Sequence, residues 1–253
     1  MAQFTSDGLI LAYDDFGPRD AAHTVVLVHG FSSNRYENWK RVGWYDAIER
    51  KGLRGLAFDN RGHGESAKPH DPVFYNRTAM ARDVFALMDH AGVERAHLVG
   101  FSMGSHISLT AALEDSGRID HLVVGGVGVK IFEPRADNAM AEAMEADSPE
   151  SIADPMMRSF RHFADEQKED RLALAACSRG PRTPFTPDVL GAIRRPTLVV
   201  AGARDELAGS PQGLAQAISG AKAVTLPGCD HFSAIAHALF KASVFDFFDG
   251  WLE

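Results

Sequence analysis

Gly100-Phe101-Ser102-Met103-Gly104 is the stretch that decides the fold. It directly follows a strand-like apolar run at 97–99 and opens a stretch whose apolar residues recur with helical spacing. A serine between two glycines at a strand-to-helix turn is typical of a nucleophile elbow, which lifts the hydroxyl out of the sheet. Side chains at residues 100 and 104 would crowd that turn. We therefore predict that Ser102 is a nucleophile; the alternative is a serine that only caps a helix.

Four more short apolar runs indicate strands buried on both faces, at residues 25–28, 56–58, 122–124 and 197–201. Helical spacing lies between several of them, as in 80–88, where Gly92 is placed to end the helix. This alternation predicts βαβ units and a mainly parallel sheet. The turn signal Ser6-Asp7-Gly8 adds an antiparallel hairpin at the start, so the expected architecture is an α/β fold with a mixed sheet.

The strand pattern disappears between residues 130 and 187, where Ala, Met, Glu and Asp dominate. Helical stretches at 138–145 and 155–163 predict a helical cap inserted into the sheet domain. We therefore expect a core domain of residues 1–129 and 188–253, with the cap at 130–187. The stretch 233–252 carries a broad apolar helical face that includes Leu239 and Trp251. Lys and Arg are scarce in this stretch, which favours packing in the core over binding to a membrane surface.

Another strand-like run ends at the sequence Val28-His29-Gly30-Phe31. The small residue Gly30 leaves backbone N–H groups free near the sheet edge. We predict that the amides of Phe31 and Met103 form an oxyanion hole. His29 is a conceivable base, but a histidine beside such a loop more often holds the loop through hydrogen bonds.

These segments, together with the stretch from Asp59 to Ser66 (DNRGHGES), resemble the α/β-hydrolase superfamily over nearly the whole chain outside the cap. That family orders its catalytic residues as nucleophile, acid and histidine, the last two on loops after late strands. Asp205 and His231 occupy the matching positions. The resemblance implies that His231 is the general base for Ser102 and that Asp205 orients the histidine.

Other polar residues near these positions could also be considered for catalytic roles, but side chains adjacent in sequence rarely reach the far atoms of a neighbouring ring. Asp230 and Glu206 adjoin the predicted histidine and acid, and we interpret them as loop-capping or solvated residues. In the family, the segment that starts at Asp59 resembles a structural connection, so we expect structural roles for Asp59, Arg61 and His63.

A serine at the elbow favours acyl transfer over the alkyl-enzyme chemistry of superfamily members that carry aspartate there. We predict a serine esterase that cleaves small to medium carboxylic esters through an acyl-enzyme on Ser102. C–C bond hydrolysis, lactone hydrolysis and perhydrolysis are alternatives on the same residues. A small-molecule receptor with vestigial turnover is the alternative of another class.

Apolar residues of the cap and the oxyanion loop are candidates for the substrate pocket. The candidate substrate-binding residues are Phe31, Met140, Met144, Met156 and Phe160. The cap residues among them could equally form the packing core of the cap. Residues 130–190 hold twelve Asp or Glu against eight Lys or Arg, which disfavours strongly anionic substrates, although Arg35 or Arg158 could still bind a carboxylate.

Composition excludes several other classes of protein. The net charge of −8 disfavours nucleic-acid binding, and no apolar run reaches the roughly 18 residues that span a bilayer. No secretory signal pattern opens the sequence, and Cys177 and Cys229 are too few for a disulfide framework. We expect a cytoplasmic enzyme with a small-molecule ester as partner, no metal and no cofactor; the oligomeric state is left open.

Overall fold

The computed structural model describes residues 2–134 and 138–252, and its centre is an eight-stranded mixed sheet. In chain order the strands are β1 (Ala2–Ser6), β2 (Leu9–Phe16), β3 (Thr24–Val28), β4 (Arg54–Phe58), β5 (Ala96–Phe101), β6 (Ile119–Gly125), β7 (Thr197–Gly202) and β8 (Lys222–Leu226). Their spatial order is β1-β2-β4-β3-β5-β6-β7-β8. The pairs β1/β2 and β2/β4 are antiparallel and the remaining pairs are parallel, as the sequence predicts.

Local sequence explains both kinds of strand. Asp7 and Gly8 take positive φ angles of 47° and 76°, which closes the tight hairpin between β1 and β2. Every residue of β3, β4, β5 and β7 is buried, which accounts for their continuous apolar sequences.

Helices cover both faces of the sheet. In chain order they are α1 (Trp44–Arg50), α2 (Arg77–His90), α3 (Met103–Glu114), α4 (Ala139–Glu145), α5 (Pro155–Glu166), α6 (Arg171–Arg179), α7 (Pro187–Leu190), α8 (Pro211–Ala215) and α9 (Ala238–Phe248). Helices α2 and α3 pack in the core on one face, and α1 and α9 pack in the core on the other. Because α9 ends at Phe248, Trp251 lies beyond it and is 80% exposed, and Leu239 is also exposed.

The chain between β6 and β7 is helical in its described part, and we call residues 129–134 and 138–190 the helical segment. Helices α4, α5 and α6 share an apolar cluster of their own that includes Met144, Phe160 and Leu174. Glu169 ties the loop between α5 and α6 to the sheet domain, since its carboxylate accepts hydrogen bonds from the Gly64 amide at 2.9 and 3.1 Å. No helix of the described ranges is long and apolar enough to cross a membrane.

Candidate active site

The turn between β5 and α3 holds Ser102 in a backbone conformation that residues other than glycine rarely adopt, with φ 53° and ψ −115°. The Ser102 amide donates to the Gly125 carbonyl at 2.8 Å, which ties the turn to β6. A Cβ atom on Gly104 would overlap the backbone carbonyl of Val28, and one on Gly100 would overlap the carbonyl of Gly104. Both glycines are therefore required by the close approach of α3 to β3 and β5.

Ser102, His231 and Asp205 form a continuous chain of hydrogen bonds. The Ser102 hydroxyl donates to His231 Nε2 at 2.9 Å, and His231 Nδ1–H donates to Asp205 Oδ2 at 2.9 Å. His231 and Asp205 are both only 4% exposed, which favours a strong interaction between them. The other carboxylate oxygen, Oδ1, accepts from the amides of Leu207 and Ala208 at 3.1 and 3.0 Å, so the acid is fixed in one orientation.

The loop after β3 presents backbone donors beside Ser102. Within residues 2–134 and 138–252, the amides of Phe31 and Met103 have no hydrogen-bond acceptor. His29 Nδ1–H donates to the Gly30 carbonyl at 2.8 Å, and His29 Nε2 accepts from the Asn60 amide at 2.9 Å. Because a peptide unit is planar, holding the Gly30 carbonyl also fixes the direction of the Phe31 N–H.

Burial lowers the pKa of His29 to about 4, so its ring is neutral and suits this holding role. With the serine, the histidine, the carboxylate and two free amides in place, the arrangement can activate a hydroxyl and stabilise an oxyanion.

The family model for the alpha/beta hydrolase fold matches residues 23–178, which is more than half of the chain. This protein belongs to the α/β-hydrolase family. It is 30% identical over 261 residues to the putative carbamate hydrolase RutD of Variovorax paradoxus, with 93% of each chain covered.

Two further comparisons agree with this assignment. The 2-hydroxy-6-oxononadienedioate/2-hydroxy-6-oxononatrienedioate hydrolase of Paraburkholderia xenovorans is 28% identical, with 94% of this chain and 90% of that protein covered. The crystal structure of a hydrolase from Pseudomonas aeruginosa superimposes with a TM-score of 0.80 at 28% identity, covering 98% of this chain and 97% of the other.

In this α/β-hydrolase, the sequence neighbours of Asp205 and His231 lie at the surface, in agreement with their interpretation as loop-capping or solvated residues. Asp230 is exposed and caps its own loop, accepting from the Ser233 amide at 2.9 Å. Glu206 is exposed as well. Among the described residues, neither carboxylate forms a hydrogen bond or an ion pair with the His231 ring.

The motif that follows β4 has structural contacts. Arg61 forms a buried ion pair with Asp83, with N–O distances of 2.6 and 2.8 Å. Asp59 binds the side chain and the amide of Arg35, the latter at 2.7 Å. His63 is fully buried, and burial lowers its pKa to about 3. These contacts hold the loop in place, and none of the three side chains is among the residues that line the cavity at Ser102.

A cavity of about 490 Å³ opens beside Ser102 and His231. One wall is apolar and includes Phe31, Phe101, Phe160, Phe163, Phe232 and Ile235. Phe160 lies 6.2 Å from the His231 ring and Phe232 lies 5.8 Å from it, between ring centroids. The α/β-hydrolase therefore offers an apolar surface directly against the proposed base.

Two of the five predicted substrate-binding residues, Phe31 and Phe160, line this cavity, and three do not. Met144 is fully buried in the cluster of α4, α5 and α6, and Met140 and Met156 pack against that cluster. The positions of these methionines agree with the alternative that the sequence left open, in which they form the packing core of the helical segment. Helical segments without a sheet must bury an apolar face of their own, and the methionines supply it.

The polar wall of the cavity went unrecognised in the sequence. It includes Ser33, Glu37, Asn38 and Arg41 around a π-helical turn at Tyr36–Lys40, and α5 adds Ser159, His162 and Glu166 to the polar lining. Asn38 Oδ1 accepts from the Gly30 amide at 2.6 Å. This hydrogen bond joins residues eight positions apart across an irregular turn, so no periodic sequence pattern predicts it.

The two arginines considered for carboxylate binding are engaged elsewhere. Arg35 pairs with Asp59, Glu65 and Asp14, and Arg158 donates to the Ile152 carbonyl at 2.6 and 2.9 Å. Neither side chain lines the cavity, whereas Arg41 does and is paired with Glu37.

Proposed function

We propose that this protein is a serine hydrolase that cleaves carboxylic esters of small to medium size through an acyl-enzyme on Ser102. The observation that carries the proposal is the chain of two 2.9 Å hydrogen bonds from Ser102 through His231 to Asp205. A serine hydroxyl is a weak nucleophile until a base removes its proton, and this chain supplies the base in the required tautomer.

The reaction follows from that geometry in two half-reactions. Ser102 Oγ attacks the ester carbonyl carbon while its proton moves to His231 Nε2, and the Phe31 and Met103 amides bind the resulting oxyanion. The tetrahedral intermediate then collapses, and the departing alkoxide takes the proton from Nε2. Water attacks the acyl-enzyme with His231 again as base, which releases the acid and restores the serine. The Asp205 carboxylate holds the ring through Nδ1–H and stabilises the imidazolium.

The cavity supports the proposed substrate size. Its 490 Å³ lies within the range of about 300–1,000 Å³ that is usual for small-molecule sites. Phe160 and Phe163 of α5 line it, which supports the proposal that residues 130–187 form a cap over the site. Its apolar wall suits the hydrocarbon part of an acyl group or alcohol. A cytoplasmic location remains part of the proposal.

The test is turnover of p-nitrophenyl esters from acetate to decanoate, with and without excess chelator. Chelator-resistant turnover that falls by about 10⁵-fold or more in Ser102→Ala would support the mechanism. Ser159→Ala is the matched control, because the Ser159 hydroxyl lies on the cavity rim but donates to the Pro155 carbonyl at 2.9 Å. Turnover that survives in Ser102→Ala would refute the proposal.

C–C bond hydrolysis is the second candidate, because the Paraburkholderia relative, similar over 94% of this chain, is named for a dienedioate substrate. A vinylogous 1,5-diketone assayed beside the best p-nitrophenyl ester would separate the two, since a C–C hydrolase prefers the diketone by kcat/KM. A receptor would turn over every substrate slowly, so ordinary multiple turnover on a short aryl ester contradicts that alternative.

A further inference from the structure

We propose that Asn38 is a substrate-binding residue, which selects acyl groups that carry an acceptor oxygen close to the reacting carbonyl. Such groups include the acyl groups of carboxylic acids with an alkoxy, keto or hydroxy oxygen at carbon 2 or 3. The inference rests on the proposed function of Ser102 and names its substrate class.

The orientation of the Asn38 side chain follows from its partner. The Gly30 amide can only donate, so the atom 2.6 Å away must be the carbonyl oxygen of Asn38 and its NH₂ group must face the other way. In the described part of the chain this NH₂ group has no acceptor. Asn38 is 8% exposed and lines the cavity, so its NH₂ group is the hydrogen-bonding group of this side chain that stays available to a substrate.

Asn38 also lies close to the proposed nucleophile. A Cβ atom added to Gly30 would lie 3.4 Å from Ser102 Cβ and 3.5 Å from Asn38 Oδ1. Ser102 and Asn38 therefore flank the same backbone position, beside the loop that presents the Phe31 amide. A substrate carbonyl placed against Ser102 would therefore bring its nearest substituents to the part of the cavity that Asn38 lines.

Selectivity follows from the contrast between the Asn38 NH₂ group and the aromatic residues that line the same cavity. Asn38 is largely withdrawn from water, and a bound hydrocarbon chain would leave its NH₂ group without a hydrogen-bond partner, which is unfavourable. An oxygen at that position would pair with it, while the remainder of the acyl group packs against the aromatic wall. Sites with a buried polar group discriminate in this way against analogues that lack the matching partner.

The experiment compares esters of nearly equal shape that differ by one oxygen: p-nitrophenyl methoxyacetate with butyrate, and 3-methoxypropanoate with pentanoate. The readout is the ratio of kcat/KM within each pair, because dividing the variant's ratio by that of the wild type cancels the intrinsic reactivity of the esters. An ether oxygen can only accept, so it reports on the NH₂ donor alone.

Two substitutions remove the donor in different ways. Asn38→Asp keeps an oxygen for the Gly30 amide and replaces the NH₂ group with an acceptor, whereas Asn38→Leu removes both functions. We expect the ratio to fall by about 2- to 13-fold in Asn38→Leu, the value of one neutral hydrogen bond, and by at least as much in Asn38→Asp. Asn76→Asp is the matched control, since Asn76 caps α2 away from the cavity and aspartate also caps helices. A ratio equal to that of the wild type in both variants would overturn the inference.

A second readout does not depend on turnover. In ¹⁵N-labelled Ser102→Ala protein, methyl methoxyacetate should shift the Asn38 side-chain amide protons and methyl butyrate should not; the resonances are assigned by their absence from Ser102→Ala/Asn38→Asp. If the wild type hydrolyses no ester, the proposed function fails and this shift alone decides the inference. Absence of the shift would overturn it.

Discussion

Asp205→Asn should remove nearly all activity while leaving the fold intact, because it reverses one hydrogen bond. The oxygen of residue 205 that faces the Leu207 and Ala208 amides meets two donors, so the carbonyl oxygen of an asparagine must stay there. Its NH₂ group would then face His231 Nδ1, 2.9 Å away, and that nitrogen would have to accept. The ring proton would move to Nε2, which could no longer take the proton of Ser102.

The expected loss is about 10⁴-fold in kcat, equivalent to about 5 kcal/mol of transition-state stabilisation, with KM little changed. The assay is p-nitrophenyl butyrate hydrolysis across pH, alongside thermal unfolding to show that the variant is folded. Asp230→Asn is the control and should retain near-native kcat, because the Asp230 carboxylate accepts from the amide and hydroxyl of Ser233 in its own loop. A folded Asp205→Asn enzyme within tenfold of the wild type would refute the reasoning.

Three further predictions concern stability and the cavity. Burial and the neighbouring His121 lower the pKa of His97 from 6.5 to about 4, so its contribution to stability is complete above pH 6.5 and is lost as the pH falls. The free energy of unfolding of the wild type relative to His97→Phe should drop by up to about 1.4 kcal/mol per pH unit between those values, and a difference independent of pH in urea titrations would contradict this. Gly104→Ala should destabilise the fold by about 1–3 kcal/mol or more, since its methyl group would overlap the Val28 carbonyl, and an unchanged melting temperature would argue against that packing. Met144→Ala should cost about 2–5 kcal/mol of stability without altering ester preference, whereas Phe160→Ala should move the optimum toward longer acyl chains; a changed preference in Met144→Ala would speak against its placement.

The sheet was largely predictable from the sequence because its signals are local. Each strand-like run lies inside an observed strand, as 25–28 does within β3 and 197–201 within β7. Continuous apolar runs occur where both faces of a strand are covered, and Asp7-Gly8 imposes a hairpin through its own backbone geometry. The sharp turn at Ser102 was predictable for the same reason, since it requires glycines at fixed spacing.

The cavity was less predictable because its walls depend on contacts between distant parts of the chain. Helical spacing identifies the apolar residues of α4 and α5 but does not say whether they face one another or the cavity. Met144 and Phe160 carry the same sequence signal, yet only Phe160 lines the cavity. Asn38 gave no signal, since its contact with Gly30 depends on a π-helical turn that no periodic pattern encodes.

The attachment of the helical segment bears on how such an enzyme can acquire new substrates. The Glu169 carboxylate accepts hydrogen bonds from the Gly64 amide and, at 3.3 Å, from Asn34 Nδ2. Asn34 lies three residues after Phe31 in the loop that follows β3. The helical segment is thus joined to the loops after β3 and β4 by a residue outside α5, whose Phe160 and Phe163 line the cavity. Mutations in α5 can therefore reshape the pocket while the hydrogen bonds of Glu169 persist. A library that randomises the cavity face of α5 and preserves Glu169 should contain more folded, active variants than one that randomises both.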